Sequence, residues 1–386
     1  DHILKNLSLY LHFPFCKSKC HYCDFYSIEN GNKYFTKYID AIINEIRWQL
    51  KNIDNNYKVQ TIYFGGGTPN LFSSHYLIKV LDNIQNNFNV KNDAEITIEL
   101  NPEFCKDKSF FHDLELAGFN RLSIGAQSMH NNELEFLGRI HNHEATVNAI
   151  NLAVQSGFNN ISLDLIFNIP EQKKDNIIKT IEEFLSFKPK HISAYNLTKE
   201  LGTKYYEMIK FGRIKENPDY KDRDYFKLCH NLLNENNFSH YEISNYSLKG
   251  YESKHNLNYW NGTDYIGFGP SAHSKIGNMR FWHNPSVVNY LKKNERNDFS
   301  CDESEILTED EKFIELLMTR FRLHSGINRN EIIHEKWVVI NEAVSYINNK
   351  HSEEYFIISK NKIRCSLEGW IILDSLLIEM INILNI

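Results

Sequence analysis

The sequence has no surplus of positive charge and no apolar run long enough to cross a membrane. Its 43 Lys and Arg residues are outnumbered by 49 Asp and Glu residues, which gives a net charge of −6 and no general attraction to nucleic acid. The most apolar stretch, residues 370–386, is interrupted by Asp374, Glu379 and Asn382, so we expect no transmembrane helix. Residues 1–7 lack the pattern of a signal peptide. We therefore expect a cytoplasmic protein without a nucleic-acid partner, and peripheral membrane contact stays open.

A set of paired cysteines is also missing. The chain has seven cysteines, of which three lie within residues 16–23, whereas Cys105, Cys229, Cys301 and Cys365 are isolated. A small disulfide-bonded protein would carry an even number of cysteines spread along the chain. The distribution found here instead predicts a metal site in a reducing compartment.

The rest of the composition is that of an ordinary globular protein, with 42% hydrophobic residues and only 8 prolines in 386 residues. This length suggests two or three domains. Through the first two thirds of the chain, short β-forming runs alternate with helical stretches, and several runs are apolar on both faces, as parallel strands are. The spacing leaves room for one crossover helix between successive runs. The six runs are residues 8–13, 59–64, 94–100, 121–126, 160–167 and 191–197.

This pattern predicts a parallel α/β domain over residues 1–245. Three polar residues, Glu99, Gln127 and Asp164, lie at or near the carboxyl ends of predicted strands. Because α/β folds bind their ligands at that edge of the sheet, we expect the functional site there.

The remaining third of the chain has a different character. Residues 246–300 are rich in Tyr, Trp and Gly and predict an irregular segment that caps the first domain. Residues 301–386 predict helices with one hairpin, which is typical of a winged-helix-like α+β domain. The first helix should begin at a capping box formed by Thr308 and Glu311. The hairpin region has no basic cluster, so packing against the first domain is favoured over nucleic-acid binding.

The three clustered cysteines, Cys16, Cys20 and Cys23, have the spacing C-x3-C-x2-C directly after the first predicted strand. A structural zinc site normally has four ligands, so zinc would need His12 or His21 in addition. A [4Fe-4S] cluster held by three cysteines leaves one iron free to bind another molecule. We consider the cluster the better interpretation, with zinc as the alternative.

This motif resembles that of the radical S-adenosylmethionine (SAM) superfamily, and the resemblance implies a (β/α)6 partial TIM barrel. It also implies that the free iron binds the amino and carboxylate groups of SAM and reduces its sulfonium, which gives a 5′-deoxyadenosyl radical. Gly66, Gly67 and Thr68, in the run Gly-Gly-Gly-Thr-Pro after the second strand, resemble the superfamily's contact to the SAM amino group. Taken alone, the glycine run could equally form a tight turn.

Further positions resemble the SAM-contacting residues of the coproporphyrinogen dehydrogenase-like branch of the superfamily. A carboxylate among them could accept hydrogen bonds from ribose hydroxyls or from the ammonium, and an arginine could bind a carboxylate. Taken singly, each could instead be a salt-bridge residue at the barrel rim. The positions are Glu99, Gln127, Arg139 and Asp164, with Tyr10, Tyr22 and Thr198 as weaker matches.

A third set of motifs resembles the HemW heme chaperone family. The segment H-N-x-x-Y-W contains His255, Tyr259 and Trp260, and the runs Met-Thr-Arg-Phe-Arg-Leu at 318–323 and Leu-Glu-Gly-Trp at 367–370 match as well. The resemblance implies that His255, as the candidate iron ligand, and the two aromatic residues handle heme. Alternatively, His255 caps a buried loop and Trp260 fills the core.

The expected function is therefore that of a heme chaperone, which carries a [4Fe-4S] cluster and SAM and delivers heme to heme-dependent respiratory proteins. The alternative is an oxygen-independent coproporphyrinogen III dehydrogenase, a radical SAM enzyme. Members of that enzyme branch carry a further cysteine two positions after the third, where this chain has Phe25. This departure favours the chaperone. Asn168 stands where the branch commonly has glycine, so the loop after the fifth strand departs from the family pattern.

Overall fold

A computed structural model describes residues 4–53 and 56–386 of the protein. The first three residues of the predicted N-terminal domain therefore lie outside the described residues. Within the described ranges, no helix is both long and apolar enough to span a membrane.

Six parallel strands, hydrogen-bonded in chain order, form the centre of the molecule. All six predicted runs are confirmed, and their ends differ from the prediction by four residues or fewer. Along the first strand, Leu9 and Leu11 pack into the main hydrophobic cluster, whereas the alternate residues Ser8 and Tyr10 face polar neighbours. This period of two places a polar surface inside the curved sheet and an apolar surface under the helices. The strands are β1 (Lys5–Phe13), β2 (Tyr57–Gly66), β3 (Val90–Leu100), β4 (Arg121–Gln127), β5 (Ile161–Phe167) and β6 (His191–Asn196).

Helices connect these strands and cover the apolar surface, as a (β/α)6 partial barrel requires. Their ends follow ordinary capping chemistry: Asp107 accepts a hydrogen bond from the Ser109 amide at the start of the third helix, and Gly118, at φ 106°, ends it. The helices of this part are α1 (Phe35–Leu50), α2 (Ser74–Asn87), α3 (Lys108–Ala117), α4 (Asn131–Phe136), α5 (His143–Gln155), α6 (Lys174–Ser186), α7 (Lys204–Lys210) and α8 (Asp219–Glu235).

The barrel sheet continues at both edges. Beyond β6 lie the antiparallel strands β7 (Ser239–Glu242) and β8 (Asn245–Ser247). The segment 246–300, predicted to be irregular, instead contains regular elements, so that prediction is wrong. Its strand β9 (Asp264–Phe268) pairs in parallel with β1 on the side opposite β2. The other elements that follow β8 are α9 (Lys254–Trp260), β10 (His273–Ile276), β11 (Met279–Trp282), α10 (Val287–Arg296) and β12 (Glu303–Ile306).

The C-terminal part has its own hydrophobic cluster, which includes Leu317, Ile340 and Met380. Its first helix begins at the predicted capping box of Thr308 and Glu311. The expected hairpin is present, with a third short strand that was not predicted. A separate cluster supports the proposed domain boundary near residue 300. The elements are α11 (Glu309–Arg320), β13 (Ile327–Asn328), α12 (His334–His351), β14 (Phe356–Ile358), β15 (Lys362–Cys365), α13 (Leu367–Ile371) and α14 (Leu373–Leu384).

Candidate functional site: the cysteine loop and the barrel rim

The cysteine loop follows β1 at its carboxyl end. Residues Phe15–Cys16 and Ile28–Glu29 form a short parallel pair that closes the loop at its base. Within it, Cys16, Cys20 and Cys23 are free, half-buried thiols. All three line one cavity of about 420 Å³, together with residues from the ends of several barrel strands. The loop and the barrel rim therefore form a single site, which we call the SAM cavity after the cofactor that the sequence resemblance implies.

The thiols sit in a polar but largely desolvated environment. Thr68 Oγ1 donates to Cys16 Sγ at 3.6 Å, and Arg139 Nη1 donates to Cys20 Sγ at 3.4 Å. Burial raises the pKa of Cys16, and it raises the pKa of Cys23 to about 12. A buried thiolate needs a compensating positive charge, which a bound metal centre supplies. These groups are thus suited to bind a metal cluster once their protons leave.

The zinc alternative has no support in this arrangement. His12 Nδ1 lies 2.9 Å from Tyr10 Oη and its Nε2 lies 2.9 Å from the Tyr26 carbonyl oxygen. The nitrogens of His21 contact the Phe136 carbonyl oxygen at 2.7 Å and Lys204 Nζ at 2.9 Å. Both candidate fourth ligands are therefore engaged elsewhere. Across the described ranges, no three His, Cys, Asp or Glu side chains converge on a position for one metal ion.

The glycine run at the end of β2 packs directly against the end of β1, just before the cysteine loop. A Cβ atom on Gly66, whose φ is 106°, would lie 2.4 Å from His12 Nδ1, and one on Gly67 would lie 2.7 Å from the Phe13 carbonyl oxygen. The amides of this run donate within the protein, since Gly66 N bonds to Glu99 Oε2 and Gly67 N to the Phe13 oxygen. Because an ammonium group has only hydrogen-bond donors, any contact of this backbone run with one has to come from carbonyl oxygens. Glycine is needed because the two chain segments approach so closely.

Two carboxylates on the inner face of the barrel line the cavity. Glu99 accepts hydrogen bonds from Tyr63 Oη at 2.8 Å and from Gly66 N at 3.0 Å, and burial raises its pKa to about 7. Ser123 Oγ lies 3.3 Å from both oxygens of Asp164, whose pKa burial also raises. Both carboxylates can therefore accept a further hydrogen bond or pair with a cation.

Arg139 and Gln127 complete the polar lining. Arg139 Nη2 donates to Asn101 Oδ1 at 2.8 Å and to the Gly125 oxygen at 3.1 Å, which fixes the guanidinium beside Cys20. Gln127 has a positive φ of 64° at the end of β4, and its buried Oε1 has no hydrogen-bond partner in the described part of the chain. A strained residue with an unsatisfied buried acceptor is typical of a ligand site.

The structure thus brings together most of the residues that the sequence predicted for cofactor binding. Two predicted residues do not line the cavity. Thr68 donates a hydrogen bond to Cys16 Sγ, and Tyr10 contacts His12 and the ring of Tyr63. The sequence reasoning missed Asn101 and Tyr195, although each lies at the end of a barrel strand. The predicted residues that line the cavity are Cys16, Cys20, Tyr22, Cys23, Gly66, Gly67, Glu99, Gln127, Arg139, Asp164 and Thr198.

A second cavity of about 450 Å³ lies beside the first and shares Tyr195 with it. Tyr259 and Trp260 line this cavity, as expected for aromatic contacts with a planar ligand, and we call it the aromatic cavity.

His255 does not point into this space. It is 1% exposed, and its ring nitrogens lie 2.8 Å from Thr61 Oγ1 and 2.9 Å from Tyr259 Oη. Burial lowers its pKa to about 3. The geometry does not favour the prediction that His255 binds iron, because a buried histidine with both nitrogens engaged has no coordination position to offer. It supports the alternative of a buried structural residue.

Comparisons with known proteins agree with this geometry. A family model described as the radical SAM superfamily matches residues 10–184. The heme chaperone HemW of Buchnera aphidicola subsp. Schizaphis graminum (strain Sg) is 33% identical over 376 residues, which are 95% of this chain and 94% of that protein. The heme chaperone HemW of Bacillus subtilis (strain 168) is 32% identical over 83% of this chain and 85% of that protein.

The same fold occurs in the structure of the Escherichia coli coproporphyrinogen III oxidase HemN, a radical SAM enzyme. The TM-score is 0.82 over 98% of this chain and 90% of that chain, at 20% sequence identity. The barrel with its cysteine loop defines a radical SAM protein, a class that implies a [4Fe-4S] cluster and SAM. Within that class, the chain belongs to the heme chaperone HemW family.

Proposed function

We propose that the protein binds heme and delivers it to heme-dependent respiratory proteins. The observation that carries this proposal is the alignment with heme chaperones of the HemW family at about one third identity over almost the whole chain. The alignment includes the barrel, the aromatic cavity and the C-terminal domain, so the likeness is not confined to the part common to radical SAM proteins.

In this proposal, Cys16, Cys20 and Cys23 hold a [4Fe-4S] cluster, which when bound supplies an open iron and an electron to SAM. Arg139 places a fixed positive charge beside the sulfurs and so offsets the negative charge of the thiolates. Glu99 and Asp164 offer buried acceptors to the cationic and hydroxyl groups of SAM. The chain's own contribution is thus to orient SAM and to keep its charged groups compensated.

Heme contact is proposed at the aromatic cavity, with Tyr259 and Trp260 as its flat walls. His255 has a different role here: it connects helix α9 to the barrel through Thr61 and Tyr259. The absence of a fourth cysteine at Phe25, which lines the SAM cavity instead, fits a protein that carries a tetrapyrrole rather than one that decarboxylates it.

The experiment is a visible-absorbance titration of the anaerobically reconstituted protein with hemin. Saturable binding at a fixed stoichiometry, followed by transfer to an apo-acceptor, supports the proposal. The variant Cys16→Ala separates effects of the cluster from those of the heme site. Absence of binding by a protein with an intact cluster would contradict the proposal and favour the dehydrogenase, for which coproporphyrinogen III is the substrate to test.

A further inference from the structure

A third cavity, of about 440 Å³, lies between the barrel and the C-terminal domain. We call it the interdomain cavity. It shares Tyr195, Asn196 and Thr198 with the SAM cavity, and Tyr195 also lines the aromatic cavity. Tyr195 is 41% exposed, so the three spaces meet at an accessible side chain at the end of β6.

The walls of the interdomain cavity come from both domains, and about half of the lining residues are apolar. The barrel side contributes Phe167 and Phe226, whereas Trp370, Ile372 and Leu373 come from the C-terminal domain. The apolar part of this surface suits a large planar or aliphatic ligand, because burying apolar area is the main source of the binding free energy of such a ligand. By itself the apolar surface does not identify the ligand.

The positive charge of Arg322 indicates which class of ligand fits the interdomain cavity. Among the described residues that line the cavity, Arg322 is the one with a Lys or Arg side chain. Its guanidinium lies 5.9 Å from the centre of the Trp260 ring, and its side chain is 20% exposed. Arg322 therefore connects helix α9, which carries Trp260, to the C-terminal domain. A cation beside apolar walls recognises an amphipathic molecule with an acidic group.

The partner of Arg322 is easily replaced. Arg322 Nη2 pairs with Asp374 Oδ1 at 2.8 Å, and the Asp374 side chain is 83% exposed. An ion pair with so exposed a carboxylate contributes little to stability, since water solvates the released carboxylate at once. The second carboxylate of the cavity, Asp222, accepts a hydrogen bond from Asn196 at 2.8 Å and is thus occupied elsewhere. Arg322 Nη1 also donates to the Met318 carbonyl oxygen, so a ligand carboxylate inside the cavity would take the place of Asp374 at Nη2.

We propose that the interdomain cavity binds the acidic edge of a tetrapyrrole, with Arg322 pairing with a propionate carboxylate in place of Asp374. This inference rests on the proposed function and deepens it by giving the C-terminal domain a part in ligand binding. The tetrapyrrole would span from the aromatic cavity past Tyr195, with its carboxylate at Arg322. Release of Asp374, at the start of α14, would break an ion pair within the C-terminal domain.

The test compares hemin with hemin dimethyl ester, whose propionates are capped, in titrations of the anaerobically reconstituted full chain in one detergent buffer. Arg322→Gln should weaken hemin binding on the order of tenfold and leave the affinity for the dimethyl ester unchanged. Arg322→Lys should recover part of the loss. Asp374→Asn should tighten hemin binding, because it removes the competing carboxylate.

Arg329→Gln is the matched control. Arg329 is an exposed arginine of the C-terminal domain and does not line the interdomain cavity. Equal thermal unfolding midpoints of the variants would show that each is folded. If Asp374→Asn weakens hemin binding, or if Arg322→Gln lowers both affinities alike, the interdomain site is wrong while the proposed function stands. If the wild-type chain binds neither compound, the proposed function fails as well.

Discussion

Arg139 Nη1 lies 3.4 Å from Cys20 Sγ, although the two residues are 119 positions apart in the chain. Asn101 and the Gly125 carbonyl oxygen hold the same guanidinium from the barrel side. The contact therefore joins the cysteine loop to the ends of β3 and β4. It places a permanent positive charge where three thiolates have to gather around a cluster.

Replacement of Arg139 tests this relationship. We expect Arg139→Gln to lower the affinity for SAM by about tenfold or more, because the guanidinium also lines the SAM cavity, where it can pair with the carboxylate of SAM. The measurement is equilibrium dialysis of labelled SAM against anaerobically reconstituted protein with a determined iron content. Arg296→Gln, at the exposed end of α10, is the control for loss of one positive charge. Unchanged SAM affinity in Arg139→Gln with normal iron content would contradict the assignment.

Glu99 predicts a pH dependence of SAM binding. Its pKa is raised to about 7 by burial, so the carboxylate is mostly protonated at pH 6 and mostly ionised at pH 8. Because the ionised form attracts the cationic cofactor, affinity should rise as the pH rises through about 7. Calorimetric titrations with SAM between pH 6 and pH 8.5 measure this effect.

The variant Glu99→Gln separates this group from others that titrate in the same range, the SAM amine included. Glu99→Gln should bind SAM more weakly than the wild type at pH 8. Its affinity for SAM should also change little as the pH rises through 7. A variant that keeps the full pH dependence would show that another group is responsible.

His255 is expected to act through stability rather than through iron ligation. Because Thr61 Oγ1 and Tyr259 Oη would lose a buried partner, His255→Ala should lower the free energy of unfolding by about 2–4 kcal/mol. The heme spectrum of the remaining folded protein should not change. Denaturant unfolding and visible spectra of the same samples check both statements, and a changed ligation spectrum would return His255 to the role of ligand.

His255 should also make the free energy of unfolding depend on pH. The pKa of His255 is lowered to about 3 in the folded state, below the unfolded value near 6.5. As the pH falls, the imidazole of His255 is protonated in the unfolded chain before it is protonated in the folded protein. The stabilisation that the neutral His255 provides is therefore complete above about pH 6.5 and is lost progressively below it. The advantage of the wild type over His255→Gln should shrink by up to about 1.4 kcal/mol per pH unit between pH 6.5 and pH 5.

The pair of His283 and Glu45 should behave in the opposite way. His283 Nε2 lies 2.7 Å from Glu45 Oε1. Burial lowers the pKa of His283, but the Glu45 carboxylate raises it by more, so the pKa of His283 is above its usual value. Its stabilising effect is complete below the unfolded pKa and is lost as the pH rises through the folded one. His283→Gln should therefore destabilise the protein more at pH 6 than at pH 9, by about 3 kcal/mol at the lower pH. Urea unfolding at both pH values measures this difference, and an equal loss at both would contradict the ion pair.

Local sequence signals were sufficient for the barrel strands and for the capping box at Thr308. These features depend on periodicity and on side chains a few residues apart, which the sequence displays directly. The positions of Glu99 and Asp164 followed from the same reasoning, because the carboxyl ends of parallel strands share one edge.

Features that depend on distant pairing could not be predicted in this way. Strand β9 is short and flanked by glycine, and it is a strand because Leu7 pairs with Asp264 across more than half of the chain. For the same reason the environment of His255 was unforeseen: Thr61 and Glu95, which bind its side chain and its amide, come from two different barrel strands. The sequence shows the type of such a residue but not its surroundings.

The most direct test of the account is to give the reconstituted protein, with SAM and a reductant under anaerobic conditions, either hemin or coproporphyrinogen III. Chromatography of the extracted tetrapyrroles then reports what became of each compound. The account predicts that hemin is bound, recovered intact and passed to an apo-acceptor, and that coproporphyrinogen III is unchanged. Conversion of coproporphyrinogen III to protoporphyrinogen IX, with one SAM consumed per decarboxylation, would contradict it.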